Sequence, residues 1–153
     1  MKHKNAIIKG GLCGTLIAIT INISIVSHFF IGFSGFSFYL FSIFTGVIPL
    51  ILLTNSTYKK FFISFGISVA SFIFVEILVS LSGVTLYFFQ IRYGADQFPW
   101  AGDGFGMMIS YLFCLSGGGI GTLAAFIITS IKKARLHSKS MEEYSTNKAG
   151  ERK

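Results

Sequence analysis

Residues 61–89 read FFISFGISVASFIFVEILVSLSGVTLYFF, 29 positions with a single charge, Glu76. A bilayer core of ~30 Å is crossed by ~20 apolar residues in a helix rising ~1.5 Å per residue. This run is long enough to cross, and it is continuous rather than alternating, so a helix fits better than a barrel strand. Working outward, three more such runs appear. Residues 10–31 hold one histidine, His28, and no formal charge; residues 36–54 and 107–131 are also uncharged. With the third span ending near Gly83, spans are expected at about 10–31, 36–54, 61–83 and 107–131. The fold class that follows is an all-α integral membrane protein with four transmembrane helices.

Composition agrees. Of 153 residues, 52% are hydrophobic and 12% charged, with 17 glycines besides. A soluble domain carries about twice that charge, so there is too little polar surface to coat one. Disorder, a coiled coil and a disulfide scaffold are excluded on the same grounds.

The basic residues set the orientation. Lys2, Lys4 and Lys9 precede the first run, Lys59 and Lys60 lie between the second and third, and seven follow the fourth. With four spans, 12 of the 13 lysines and arginines fall on one side and only Arg92 on the other. The positive-inside rule then places both termini in the cytoplasm of a multi-pass cell-membrane protein. The net charge of +7 is thereby a topology signal, and nucleic acid is not an expected partner. The first run is longer than the ~7–15 residues of a signal-peptide core, and no A-x-A-like site follows it. It is expected to remain as a span.

Two organisational units result: a four-helix membrane domain, 1–131, and a basic cytoplasmic tail, 132–153. The tail is polar and coreless, and is expected to be irregular apart from one helical turn around Met141–Tyr144. The loops at 32–35 and 55–60 are too short to fold. The outer loop, 84–106, is longer and crowds aromatic residues around Arg92, Asp96, Trp100 and Asp103. An aromatic belt at the headgroup level is the plain reading. Residues 84–93 either lie along the interface or extend the third span. Asp103 stands where an acid would cap the fourth helix. Asp96 and Asp103 lack the oxygen-rich spacing of a calcium loop.

A motif repeats. Residues 10–18 read GGLCGTLIA and 117–125 read GGGIGTLAA, both GGxxGTLxA. Small residues recur every four positions at Gly10, Gly14 and Ala18, and at Gly117, Gly121 and Ala125. Such stripes let membrane helices approach closely. The first and fourth spans run in opposite directions, so the repeat predicts that they pack against each other as an antiparallel pair. The first stripe continues to Asn22, whose amide would seek a bond across an interface.

Glu76 is the acid within a span. An ionisable group there is costly and normally faces protein or water. Glu76, Ser80 and Gly83 share a helix face, and Asn22 and His28 are the polar groups of the first span that could reach it. A structural carboxyl held by a neighbouring helix and a functional one are both consistent with this pattern.

Chemistry is otherwise sparse. The sequence has no CxxC, no P-loop and no GxSxG. Cys13 and Cys114 fall at different depths and read as small fillers, and the histidines 3, 28 and 137 are dispersed. No metal or other cofactor is expected. The leading expectation is a small membrane protein without its own chemistry, acting on lipid-embedded partners or on itself as an accessory, assembly or protective subunit. Its rival is a small homo-oligomeric transporter or channel using Glu76. An enzyme built from Glu76, His28, Asp96 or Asp103 is the least favoured class.

Overall fold

The computed structural model describes residues 3–31, 35–84, 87, 90–91 and 103–150, with the side chains of 28–31, 35–38, 103–105 and 142–150 outside that description. Four helices follow in order: α1 (Lys4–Ile31), α2 (Gly35–Leu52), α3 (Tyr58–Ser82) and α4 (Asp103–Gly150). No strand occurs among the described residues. Three stretches, Lys4–Ser27, Tyr58–Ser82 and Gly106–Met141, are long and apolar enough to cross a membrane; the described apolar part of α2, Tyr39–Leu52, is shorter.

The helices start and stop for local reasons. Thr57, in extended backbone, opens α3 by accepting a hydrogen bond from the Lys60 amide at 3.4 Å. Such a cap satisfies one of the donors that a helix start leaves free. Gly83 closes α3 at φ 66° in the left-handed region, its amide donating to the Ser80 carbonyl. Glycine adopts that conformation without a Cβ penalty. Helical turns resume at Val84, with the Tyr87 amide donating to the Gly83 carbonyl at 2.8 Å. The chain beyond Gly83 is thus a separate turn and not a straight extension of α3.

The helices associate as two parallel pairs. On α1, Gly10 and Gly14 face the backbone of Ser64 and Ser68 on α3, and Asn22 bonds Glu76. The sequence offset between partners is 54 in each case, so α1 and α3 run side by side in one direction over more than three turns. On α4, Gly117 faces the Ser42 carbonyl and Gly121 the Gly46 carbonyl of α2, again at one offset. The expected pairing of the two stripes with each other is corrected here. Each stripe packs on a different, parallel neighbour, which offers its own small residues at four-residue spacing: Ser64 and Ser68 on α3, Ser42 and Gly46 on α2. Close approach needs small residues on both sides, and α1 and α4 do not bring their stripes together. The pairs join through α1, and a core of Cys13, Leu53, Phe61 and Ala125 draws on all four helices or their ends.

Burial is inverted relative to a water-soluble bundle. Buried side chains are mainly small or hydroxylated: Ala6, Cys13, Ala18, Ser24, Thr45, Ser64, Ser68, Ser110 and Thr129. Large apolar ones stand exposed, among them Leu81 at 80%, Ile120 at 71% and Ile51 at 65%. Water would drive Ile and Leu inward. A hydrocarbon solvent removes that drive and leaves close packing and interhelical hydrogen bonds to hold helices together.

The tail also differs from expectation. Residues 132–150 continue α4 without interruption, and 131–141 are exposed. A helix extended from an existing one avoids the cost of nucleation, and Lys132, Lys133, Ala134, Arg135 and Leu136 all favour helix.

Candidate functional sites

Two polar assemblies stand out, one in the half of the bundle away from the lysines and one at the end that carries them, the basic end.

The first centres on Glu76. The Asn22 side-chain amide donates to Glu76 Oε1 at 3.0 Å and to the Ala18 carbonyl of its own helix at 2.9 Å. The small-residue stripe of α1 places Asn22 on the α3-facing side, one turn above Ala18, and the common register brings Glu76 opposite. Glu76 remains half-buried. Tyr111 of α4 lies within electrostatic reach of its carboxylate. A cleft of about 330 Å³ opens nearby between α3 and α4, walled by Phe65, Val69 and Phe72 on one side and Gly118, Gly119 and Thr122 on the other, with Ile17 as floor. Phe72 is one helical turn from Glu76, and Leu115, also in the cleft wall, is one turn from Tyr111. The carboxyl itself does not line this cleft; it is tied to a neutral partner, Asn22. A half-buried carboxyl can accept a hydrogen bond, donate one when protonated, or exchange a proton with water that reaches it.

The other sequence candidates distribute differently. Ser80 is exposed on the same helix face and forms part of the α3 cap through its carbonyl. His28 is on α1, but its side chain lies outside the described residues, as do Arg92, Asp96 and Trp100 altogether. Asp103 is the first residue of α4, with its side chain likewise outside the description. The cysteines are free and buried. No group of three His, Cys, Asp or Glu residues gathers among the described residues.

The second assembly was not anticipated. The Asn55 amide donates to Thr129 Oγ1 of α4 at 3.1 Å, and the Asn55 side chain donates to Ser64 Oγ of α3 at 3.3 Å. Ser64 Oγ in turn donates to the Ala6 carbonyl of α1 at 2.9 Å. One asparagine just after α2 therefore links all four helices at the basic end. Against this network lies a recess of about 440 Å³ into which Lys4, Lys9, Lys60 and Lys132 converge. Their sequence signal was visible as charge, but convergence depends on α1 and α3 being parallel, with both starts at one end. Lys133 takes a different role, its ammonium lying 4.3 Å from the centre of the Tyr58 ring, within cation–π range.

A third feature is isolated. Ser110 is fully buried and its hydroxyl has no hydrogen-bond partner.

No protein-family model matches the chain, and no curated protein or solved structure matches it either.

Proposed function

We propose that the chain is a multi-pass protein of the cell membrane, with four spans and both termini cytoplasmic, that acts by packing against another membrane protein or a second copy of itself and performs no chemistry of its own. The α3–α4 cleft carries this reading. Its α4 wall is Gly118, Gly119 and Thr122, and Gly119 has open space where a Cβ would stand. Small residues around an open groove let another helix approach closely. The four-residue stripes Gly10–Gly14 and Gly117–Gly121 are already engaged within the unit, whereas Gly119 faces the open cleft. The accessory, assembly or protective role follows as the class of work a packing surface performs.

Co-purification after mild detergent extraction tests it. Wild type should retain a stoichiometric partner or its own copy, and Gly119→Leu should release it without changing the unfolding midpoint. A strictly solitary, monomeric wild type in both detergent and nanodiscs overturns the proposal.

The Asn22–Glu76 contact favours one rival, a small homo-oligomeric transporter or channel in which Glu76 binds a proton or cation and Asn22 lines the path. Ser80, exposed one turn away, would lie at its mouth. Reconstituted transport should then vanish in Glu76→Gln while the fold persists. Equal transport by both proteins removes this reading.

A further inference from the structure

The recess at the basic end has more order than a topology signal requires. Charge asymmetry across a bilayer needs lysines on one side; it does not need four of them to share one cavity. Lys59, Lys133, Arg135 and Lys139 belong to the same end of the chain's helices yet do not line the recess, whereas Lys4, Lys9, Lys60 and Lys132 do. These four come from three helices, and among the described residues no acid lines the cavity with them. The floor is fixed by Asn55, which is held by Leu53, Thr129 and Ser64.

A second, independent feature has the same sign. Because α1 and α3 are parallel, both begin at this recess: Lys4 and Asn5 of the first turn of α1 line it, as does Ser56 just before α3. Helix starts carry partial positive charge and free amides. Neither α1 nor α3 has an acid in its first turn to offset that charge. The cavity lies within the range of ~300–1,000 Å³ common for small-ligand sites, and basic pockets between helices at the cytoplasmic face suit phosphorylated headgroups.

We infer that this recess is a binding site for a phosphate-bearing anion, in which Lys4, Lys9, Lys60 and Lys132 supply the charge and Asn55 and Ser56 supply neutral hydrogen-bonding groups. The shared chemistry is a phosphate group, either on an anionic lipid of the adjoining leaflet or free in the aqueous phase. The site is independent of Glu76 and of the α3–α4 cleft.

The test uses the full-length chain in phosphatidylcholine nanodiscs and in nanodiscs containing phosphatidylglycerol. Inorganic phosphate is titrated against the first, and retained phosphatidylglycerol is measured in the second by native mass spectrometry after exchange into detergent. A quadruple variant, Lys4→Gln, Lys9→Gln, Lys60→Gln and Lys132→Gln, is compared with a control that removes equal charge outside the recess, at Lys59, Lys133, Arg135 and Lys139. Saturable phosphate binding in phosphatidylcholine identifies the free anion, whereas selective retention of phosphatidylglycerol identifies the lipid. Either is expected to fall at least ten-fold in the recess variant and less than three-fold in the control. Should the quadruple variant misfold, Lys60→Gln and Lys132→Gln singly are each expected to weaken binding about five-fold, as ~1 kcal/mol per basic side chain implies. Absence of both forms of binding, or equal loss in recess variants and control, overturns the site.

Discussion

A glycine in this protein is judged by what its missing Cβ would strike. At Gly14 a Cβ would overlap the Ser68 carbonyl oxygen, and at Gly121 that of Gly46. Neither obstacle is a flexible side-chain end, so the helices must separate. Gly14→Leu and Gly121→Leu are each expected to destabilise by ~3 kcal/mol, the upper range for overpacking, measured by unfolding in detergent. Gly66 has nothing within 4 Å of the same construction. Gly66→Ala should be neutral or raise stability by up to ~1 kcal/mol through helix propensity. Equal loss at Gly14 and Gly66 would show that the stripe does not pack. Ser110 offers a complementary case. Its hydroxyl is buried without a partner, and removing such a group relieves a desolvation cost of ~1–3 kcal/mol. Ser110→Ala is expected to raise the unfolding midpoint; a fall would reveal an interaction of that hydroxyl essential to the fold. For Asn22→Leu, losing the donor to Glu76 should cost ~0.6–1.7 kcal/mol, the range for interhelical hydrogen bonds in membranes. Glu76→Gln keeps an acceptor oxygen toward Asn22 and should leave the fold intact.

At the scale of elements, the apolar runs were legible because a helix in lipid must be continuous and uncharged over a fixed length. The ends were less so. α1 reaches back to Lys4 and α4 forward to Gly150, since lysines and serines outside an apolar run do not stop a helix already begun. Reading the absence of a core as the absence of structure missed the tail helix for that reason. The pairing of elements was harder. GGxxGTLxA is conspicuous in α1 and α4, and its resemblance to itself suggested self-pairing. The partners were present as Ser64 and Ser68, and Ser42 and Gly46, which carry the same four-residue spacing with less glycine. Backbone proximity responds to size and not to motif identity, so serine serves as well. Asn55 opens the 55–60 loop, which is too short to fold by itself, and Thr129 and Ser64 reach it only after the helices are paired. The tail carries its own expectation. Residues 136–141 are exposed, so truncation after Arg135 should leave the unfolding midpoint unchanged. Far-UV circular dichroism should lose the helicity of about 15 residues, Leu136 to Gly150. A lowered midpoint would mean the tail packs on the bundle.

For the molecule as a whole, the parallel direction of α1 and α3 constrains topology more tightly than hydropathy does. If both cross the membrane from the basic end, the chain must return to that end between them, and α2 is the element that makes the return. Its 18 residues span ~27 Å at helical rise, close to the ~30 Å of a bilayer core. The described apolar part of α2, Tyr39–Leu52, is shorter than the three long stretches, and the proposed four-span topology requires α2 to cross. In that topology α4, which runs parallel to α2, returns to the basic end. This route also explains why Lys4, Lys60 and Lys132 meet in one recess despite their separation in sequence. A reporter enzyme active only in the extracytoplasmic space should stay silent when fused after Lys153 and should be active when inserted in the 84–106 loop at Gly94. Were α2 to lie outside the bilayer, three crossings would place the C-terminus opposite the N-terminus, and the Lys153 fusion would become active. That result would also separate Lys132 from Lys4 across the membrane, so a single fusion tests the fourth span and the assembly of the lysine recess together.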